Sequence, residues 1–486
     1  MSSPPQRPAV AIIGGGIAGL AAAFALRDRG LAVTVLEGSP RLGGKITVSG
    51  VAGVPVDEGA EALLARRPEG TELIGAVGLA DELVSPGTTA AAIWTRGRLR
   101  PLPKRQFMGV PADLDELQRS GIVSDAGLAR ARDDLRLPPT PRDADVPVAS
   151  YVGARFGSEV VDRLVDPLLG GVYAGRSSEL SFEATLGGLA QAARQHRSLA
   201  EAAGSLLPQP GAPPAGPVFT TLAGGLGTLP AAVAARSGAT VRTGAMVREL
   251  ARTAGADGLG GWRLTVGATR APEYLDADAV ILAVPATPAS RLLAGLPGAA
   301  PAATALGEIE YASMAVVTLA YPAGAFPGRL DGSGYLVPAV DQQAVKAVTF
   351  STVKWPHLRA GDPGLEIVRC SVGRIGEEAL LQRDDAGLAA AAAADLAAAT
   401  GVRGAPAAVR VSRWGGALPQ YTVGHAGRVA RVRAAVAAQP GLAVCGAAYD
   451  GLGIPACIAS ARKAVDQVLA HLGRQAPLAA GGRMSA

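Results

Sequence analysis

Residues 9–26 read AVAIIGGGIAGLAAAFAL, and this segment decides the fold. Val10–Ile13 is a short apolar run typical of a strand, three glycines interrupt the run, and Ala18–Leu26 has the composition of a helix. The uncharged run is long enough for a membrane span or a signal peptide, but a triple glycine is a poor centre for a membrane helix. The segment therefore predicts a strand, a glycine turn and a helix.

The glycines have the spacing of a dinucleotide-binding turn, Gly14-x-Gly16-x-x-Gly19. One glycine allows the tight turn, one lets the backbone approach a pyrophosphate, and one lets the helix pack on the sheet. Glu37 follows the next apolar strand, Ala32–Leu36, where a carboxylate can accept hydrogen bonds from ribose hydroxyls. We predict that a dinucleotide binds at Glu37 and at the turn, which comprises Gly14, Gly15, Gly16, Ile17, Ala18 and Gly19. The alternative is a glycine turn in an ordinary βαβ unit.

Two further segments favour FAD over NAD. Arg41–Lys45 reads RLGGK, which resembles the R-x-G-G segment of the FAD-dependent amine oxidase and desaturase superfamily. Near the C-terminus, an apolar strand over Ala443–Gly446 leads through Asp450–Pro455 into a helix over Ala459–Leu472. That arrangement is similar to the one with which the superfamily returns to its flavin. A plain closing αβ unit remains the alternative.

The composition excludes several classes of protein. Of 486 residues, 49% are hydrophobic and 18% are charged, so the chain can bury a large core and is not a disordered polyampholyte. The net charge of +5 is small for this length and aromatic residues are only 4%, so we expect no nucleic-acid partner. Three cysteines and four scattered histidines predict neither a disulfide framework nor a metal site, and they favour a cytoplasmic location. We also expect no transmembrane span.

The length corresponds to about three domains, and a flavin domain that uses both chain ends must be discontinuous. We predict an α/β fold with α+β insertions: a Rossmann-type FAD-binding domain, a substrate domain with an antiparallel sheet, and a helical subdomain. The predicted parts are the FAD-binding domain (1–90, 218–285 and 426–475), the substrate domain (91–109 and 286–425) and the helical subdomain (110–208), with a linker over 209–217.

Apolar runs and helical spacing predict the elements of the inner parts. The predicted strands of the middle FAD-binding part are Thr240–Leu250, Trp262–Val266 and Asp278–Pro285. The predicted helices of the helical subdomain are Asp113–Arg119, Asp125–Leu135 and Val148–Leu169. The substrate domain is predicted to contain the strands Met314–Tyr321, Val345–Val353, Glu366–Gly373 and Val409–Trp414, with one helix over Ala386–Thr400.

Several segments outside the flavin motifs resemble the bacterial soluble-type porphyrinogen oxidases, which are relatives of protoporphyrinogen IX oxidase. These segments are Asp166–Gly175 (DPLLGGVYAG), His196–Leu199 (HRSL), Lys354–His357 (KWPH), Arg413-Trp414 and Leu418–His425 (LPQYTVGH). The resemblance covers nearly the whole chain. It implies FAD as cofactor and oxidation of coproporphyrinogen III to coproporphyrin III, with protoporphyrinogen IX as the alternative substrate. It also implies dioxygen as acceptor, hydrogen peroxide as product and a transient contact with ferrochelatase.

The resemblance carries flavin contacts to further positions of this chain. They are Gly38, Lys45, Gly59, Ala60, Glu61, Ala62, Val247, Trp414, Leu452, Gly453 and Ile454. Val247 stands where the superfamily offers a backbone contact to the adenine. For Trp414 a position in the core, and for Lys45 a position in solvent, remain open. The chain departs from the family at 57–62, which reads DEGAEA in place of a Gly-Pro-Asp segment, so the flavin contact there can be shifted.

The resemblance also bears on substrate binding. Aromatisation of a porphyrinogen drives its oxidation, so no catalytic acid or base is predicted and the flavin carries the chemistry. The propionate groups of the substrate require Arg or Lys, and we predict Arg66 and Arg67 as anchors. Tyr173 and Lys354 are predicted walls of the substrate pocket, with a packing role as the alternative. A second basic cluster comprises Arg96, Arg98, Arg100, Lys104 and Arg105.

Two other functions share parts of this pattern. An amine oxidase or a carotenoid desaturase would have both end motifs, but it would not explain the segments Asp166–Gly175 and Leu418–His425. A non-catalytic binding protein of the same fold, similar to the GDP-dissociation inhibitors, would lack the C-terminal flavin turn. This chain retains that turn at Gly451-Leu452-Gly453.

Overall fold

The computed structural model describes residues 7–140, 144–209, 216–253, 260–360 and 364–475. Its central sheet contains five parallel strands from distant parts of the chain. In spatial order they are Thr240–Arg242, Ala32–Leu36, Ala9–Ile13, Ala279–Leu282 and Leu442–Val444. The three inner strands are short and apolar, as expected of parallel strands that are covered on both faces. The predicted α/β class is confirmed.

The glycine turn after Ala9–Ile13 brings backbone segments into close contact. Gly14 has φ +110°, and a Cβ at this residue would lie 2.5 Å from the carbonyl oxygen of Ala283. A larger residue does not fit, because Ala283 follows directly after the neighbouring strand. The turn leads into the helix Ile17–Leu26, against which the C-terminal helix Ile454–Gln475 packs.

A second sheet contains seven strands and is mostly antiparallel. In spatial order they are Ala408–Pro419, Tyr311–Pro322, Leu365–Val372, Val345–Phe350, Gly334–Leu336, Ala92–Thr95 and Arg98–Pro101. Gly334–Leu336 and Ala92–Thr95 pair in parallel. The predicted strand Val345–Val353 is too long, because Ser351–Lys354 forms a helical turn after Phe350.

The two faces of the seven-stranded sheet have different neighbours, because side chains alternate along each strand. Val348 and Cys370 point into an apolar core that includes the helix Asp385–Thr400. Their chain neighbours Ala347 and Ser371 line a large cavity instead. The alternation of these strands therefore separates a packing face from a face that is available to a ligand.

The helical part of the chain packs around its own apolar core. Its helices are Leu114–Ser120, Asp125–Arg132, Val148–Phe156, Ser158–Val160, Asp166–Tyr173, Phe182–Thr185, Gly187–Ala192 and Leu199–Ser205. The prediction of one continuous helix over Val148–Leu169 is wrong: Gly157 takes φ +85°, and a π-helical turn over Val161–Val165 precedes the next helix. Apolar residues keep a helical spacing across the break, so periodicity alone does not reveal it.

A three-stranded antiparallel sheet shares an apolar core with the parallel sheet. Its strands are Val247–Arg252, Trp262–Ala268 and Ala271–Ala277. The single predicted strand Thr240–Leu250 is two strands that belong to different sheets, because the chain turns at Gly244, which has φ +64°. Most of the predicted linker 209–217 lies outside the described residues.

The remaining elements are short. Pairs of short strands are formed by Val48–Val51 with Val54–Asp57, by Gln106–Phe107 with Val110–Pro111, and by Phe219–Leu222 with both Leu63–Leu64 and Leu83–Val84. The longer helices not yet named are Pro68–Ala76, Leu229–Arg236, Ala286–Ala294, Ala300–Gly307 and His425–Ala437. Within the described residues, no helix has both the length and the apolar character that crossing a membrane requires.

Candidate active-site cavity

A cavity of about 750 Å³ lies between the parallel sheet and the seven-stranded sheet. The N-terminal glycine turn, the seven-stranded sheet and the turn before the C-terminal helix all contribute to its walls. Most of the lining is apolar, and the charged side chains among the described lining residues are Glu37, Lys45, Glu61 and Arg369. A large apolar cavity with a few convergent charged groups is typical of a site for a cofactor and an organic substrate.

The glycine turn forms one end of the cavity. Gly14, Gly16, Ile17 and Ala18 line it, and the helix that starts at Ile17 directs its unpaired N-terminal N–H groups to this end. A Cβ at Gly16 would meet no atom within 4 Å, so the glycine leaves open space beside the backbone. This space is where a pyrophosphate can approach the helix N-terminus.

Glu37 occupies a fixed position beside that turn. Its Oε2 accepts a hydrogen bond from the backbone N–H of Gly15, and its Oε1 accepts one from Ser39, each at 2.7 Å. Each carboxylate oxygen has a second lone pair that can accept a ribose hydroxyl. Gly38 and Val247 line the same end of the cavity, together with Met246, which the sequence did not single out.

Lys45 lies in the cavity wall and not in open solvent. It follows Gly43, whose N–H donates to the carbonyl oxygen of Gly15 at 2.9 Å and so ties this segment to the glycine turn. Burial lowers the pKa of Lys45, and the nearby thiol of Cys457 acts weakly in the opposite direction. A cation with this surrounding is suited to contact an anionic or electron-rich part of a ligand.

The segment Gly59–Glu61 forms the middle of the wall and is held from both sides. The indole Nε1 of Trp414 donates to the carbonyl oxygen of Glu58 at 3.0 Å, and the guanidinium Nη2 of Arg369 donates to the carbonyl oxygen of Gly59 at 2.8 Å. A Cβ at Gly59 would collide with the carbonyl oxygen of Lys45. The wall is therefore bare backbone at this point.

Glu61 is a buried carboxylate between two cations. Its Oε1 accepts from Nζ of Lys354 at 2.5 Å, and its Oε2 accepts from Nη1 of Arg369. Burial alone would raise the pKa of Glu61, but the charges of Lys354 and Arg369 outweigh it and lower the pKa to about 2. Glu61 therefore stays ionised throughout the physiological range and is not a proton acceptor.

The turn before the C-terminal helix closes the cavity. The hydroxyl of Tyr421 donates to the carbonyl oxygen of Ala447 at 2.6 Å and accepts from the N–H of Gly451 at 2.8 Å. This clamp fixes the turn so that Leu452 and Ile454 line the cavity. The predicted segment Leu418–His425 supplies the clamp, which gives a physical reason for an aromatic residue at this position.

The structure brings most of the predicted flavin contacts to one cavity. The lining includes Gly14, Gly16, Ile17, Ala18, Glu37, Gly38, Lys45, Gly59, Ala60, Glu61, Val247, Trp414, Leu452 and Ile454. The predicted contacts that lie outside the lining are Gly15, Gly19, Ala62 and Gly453. Gly15 and Gly19 serve the shape of the turn instead, since a Cβ at Gly19 would collide with the carbonyl oxygen of Gly14.

The predicted substrate residues have other positions. Arg67 donates to Glu69 at 2.6 Å on the surface, and neither it nor Arg66 is among the lining residues. Tyr173 is buried with its ring 5.6 Å from that of Tyr421, while its neighbours Gly171 and Val172 line the cavity. Lys354 is not among the lining residues, but its ion pair with Glu61 connects it to the cavity wall.

Arg369 is the lining cation that the sequence analysis did not name. It lies in the strand Leu365–Val372 of the seven-stranded sheet, two residues before Ser371, and therefore on the cavity face. A charged residue inside the otherwise apolar run Ile367–Cys370 was the available signal. The second basic cluster is directed elsewhere: Arg96, for example, pairs with Glu159 at 3.1 Å.

These features fit FAD. The glycine turn offers bare backbone and helix N–H groups to a pyrophosphate, and Glu37 offers acceptors to a ribose. Gly59 offers bare backbone further along the same wall, and the apolar face of the seven-stranded sheet leaves room for a second, organic molecule beside it. Comparisons with known proteins agree: the family model of flavin-containing amine oxidoreductases matches residues 17–469.

Individual relatives are similar over nearly their whole length. The coproporphyrinogen III oxidase of Mycobacterium tuberculosis (strain ATCC 25618 / H37Rv) is 40% identical, over 96% of this chain and 98% of the relative. The protoporphyrinogen oxidase of Bos taurus is 31% identical, over 95% and 98%. A solved structure from Exiguobacterium sp. 255-15 matches with a TM-score of 0.82 at 32% identity, over 95% of this chain and 99% of that one. The chain belongs to the flavin-containing amine oxidoreductases, and within them to the group of the coproporphyrinogen III and protoporphyrinogen oxidases.

Proposed function

We propose that this protein oxidises coproporphyrinogen III to coproporphyrin III with FAD as cofactor. The observation that carries the proposal is the 40% identity, over nearly the whole chain, to a relative with this activity. The cavity supports it, because one end is shaped for a dinucleotide and the other is a broad, mostly apolar space. The reaction removes six electrons, so the proposed enzyme completes three two-electron rounds per substrate.

FAD, when bound, supplies the two-electron chemistry of each round. The chain itself binds and orients. Glu37 and the glycine turn hold the nucleotide, and the Gly59–Glu61 wall and the Tyr421 clamp set the shape of the space beside it. Apolar walls exclude water, and formation of the aromatic product provides the driving force, so a protein base is not required. The other residues predicted as flavin contacts keep that proposed role; they are Gly38, Lys45, Ala62, Val247, Trp414, Leu452, Gly453 and Ile454.

The substrate carboxylates require a cation, and the cavity offers two. Among the described lining residues these are Lys45 and Arg369, the second of which is already paired with Glu61. Arg66 and Arg67 remain proposed anchors for propionates that extend beyond the cavity, and Tyr173 and Lys354 remain proposed supports of the pocket. We extend the proposal to dioxygen as electron acceptor and to hydrogen peroxide as second product.

Protoporphyrinogen IX is the second candidate substrate, supported by the 31% identity to the Bos taurus enzyme. It has two propionates where coproporphyrinogen III has four. The test is to supply each porphyrinogen separately to the FAD-loaded protein and to follow the rise of porphyrin fluorescence. We expect faster turnover of coproporphyrinogen III. A clear preference for protoporphyrinogen IX would exchange the two candidates, and no oxidation of either would overturn the proposed function.

The remaining proposals concern the wider setting. A cytoplasmic location is supported by three cysteines that are free and buried, as is common in a reducing compartment.

The division into FAD-binding, substrate and helical domains at the predicted boundaries is supported by separate apolar cores. Transfer of product to ferrochelatase is tested by measuring whether that enzyme speeds product release. A non-catalytic binding role would be favoured only if purified protein were colourless and could not be reconstituted with FAD.

A further inference from the structure

A second, much smaller cavity lies behind the Gly59–Glu61 wall. Its volume is about 20 Å³, and it shares Glu61 and Arg369 with the large cavity. A space of about 10–15 Å³ or more can hold one water molecule if two to four polar groups surround it. The size of the small cavity therefore corresponds to one water and to little else.

Four of the residues that line the small cavity have a buried polar atom without a hydrogen-bond partner among the described residues. These atoms are Oγ1 of Thr221, Oγ of Ser351, Nε1 of Trp355 and Nε of Arg369. All four residues are at most 9% exposed. Buried donors and acceptors are rarely left unpaired in proteins, because the loss of their bonds to water is costly. Their convergence on one cavity indicates a bound molecule that can both donate and accept.

Asp57 adds an anionic acceptor to the same cavity. Its carboxylate accepts from the backbone N–H groups of Leu226 and Gly227 at 3.0 and 2.9 Å, which ties the end of the strand Val54–Asp57 to the next segment. The two N–H donors, two hydroxyls and one carboxylate around the cavity offer more hydrogen bonds than one water molecule can form. The volume of the cavity leaves no room for a larger ligand.

Arg369 connects the two cavities. Its Nη2 donates to the carbonyl oxygen of Gly59, its Nη1 donates to Glu61, and its third nitrogen, Nε, belongs to the group of unpaired atoms around the small cavity. A guanidinium is rigid and planar, so a partner at each of its three nitrogens fixes its orientation. Whatever orients Arg369 therefore also positions the backbone of Gly59.

We propose that the small cavity holds one buried water molecule, and that Arg369, oriented by this water, is a positioning residue for the Gly59–Glu61 wall of the flavin site. The proposal rests on the flavin assignment of the large cavity, but not on the identity of the porphyrinogen. The water accepts from Nε of Arg369 and from Nε1 of Trp355, and it donates to Ser351, Thr221 or Asp57. Arg369 transmits this order to the carbonyl group of Gly59.

The first test compares two buried arginines. Arg369→Lys keeps the charge but loses the planar fork, and we expect the dissociation constant for FAD to rise about three- to tenfold, with a shifted visible absorption spectrum of the bound flavin. Arg374→Lys is the matched control: Arg374 is also buried and donates to a carbonyl oxygen and a carboxylate, but it lines neither cavity. We expect this control to lose stability with an unchanged flavin spectrum. Equal FAD affinity and spectra for Arg369→Lys and the unmodified protein would overturn the positioning role.

The second test addresses the water directly. A crystal structure of the FAD-loaded protein at high resolution is expected to show one water within hydrogen-bond distance of both Nε of Arg369 and Nε1 of Trp355. An empty, well-ordered cavity would overturn the proposal. Trp355→Phe removes one donor while keeping the ring, and it should shift the flavin spectrum in the same direction as Arg369→Lys. A protein that shows this water and these shifts but oxidises no porphyrinogen would refute the proposed function and leave this inference intact.

Discussion

The substitution Lys346→Met should stabilise the protein at neutral and lower pH. Lys346 occupies the strand Val345–Phe350 at a β-bulge, where its pairing with the strand Leu365–Val372 changes register. Its side chain is 2% exposed, and its ammonium group has no hydrogen-bond partner among the described residues. Methionine has a similar length and no charge, so it can fill the same space without the desolvated ammonium.

The magnitude follows from the pKa of Lys346. Burial, together with the nearby charge of Arg374, lowers this pKa from 10.5 to about 7, and Glu377 opposes the change only in part. At 1.36 kcal/mol per pKa unit, the protonated side chain destabilises the folded state by about 5 kcal/mol. The folded pKa is the lower one, so this cost is absent above the unfolded pKa, develops as pH falls, and is complete below about pH 7.

Urea unfolding of both proteins at pH 6 and pH 9.5 measures the effect. We expect Lys346→Met to be the more stable protein at pH 6, and its advantage to shrink by about 3 kcal/mol at pH 9.5, where the folded lysine is neutral. Lys104→Met is the control, because Lys104 is exposed. An advantage that is absent at pH 6, or that stays constant between the two pH values, would refute the reasoning.

Three further predictions concern named groups. Gly59→Ala should abolish FAD retention, because its Cβ would collide with the carbonyl oxygen of Lys45. Gly50→Ala, whose Cβ meets no atom within 4 Å, should keep FAD, and the ratio of flavin to protein absorbance distinguishes the two variants. Asp134→Ala should lower the free energy of unfolding, measured in urea, by about 3–5 kcal/mol, because it leaves the charge of Arg155 buried without a counter-charge. A loss under about 1 kcal/mol would count against a structural role of this ion pair. Glu61→Gln should lower the free energy of unfolding at pH 5, and it should lower it less at pH 3. The reason is that the ion pairs of Glu61 contribute fully above its ordinary pKa of 4.5 and are lost as pH falls towards about 2. A loss of unfolding free energy that does not vary with pH would contradict this.

The sequence predicts best what is local. The glycine turn, Glu37 and the C-terminal turn all carry their geometry in a few adjacent residues, and the structure brings them to one cavity. Arg369 could not be placed from its neighbours in the chain, because its access to the cavity depends on which strands pair and in which register. Arg67 is a different case, because its partner Glu69 lies only two residues further along the chain and could be found in the sequence.

Breaks in regular structure are the other part that the sequence does not show. Gly157 and Gly244 both take positive φ and separate elements that hydrophobic patterns join. Many glycines of this chain occur in turns and many others do not, so their presence alone is a weak signal. The bulge at Lys346 is a similar case, because a lysine within an apolar run is compatible with either face of a strand.

The parallel sheet has a consequence for how the protein is made. The backbone N–H of Ala9 donates to Asp278, which lies 269 residues further along the chain, and the strand Ala279–Leu282 pairs in turn with Leu442–Val444. At a synthesis rate of about 5–20 residues per second, the strand Ala9–Ile13 can pair early with Ala32–Leu36, but it leaves the ribosome roughly a quarter of a minute to a minute before its second partner, Ala279–Leu282, exists. The apolar residues on its open edge must stay protected for that time, and FAD can meet a complete binding site only after Leu452 and Ile454 have been synthesised.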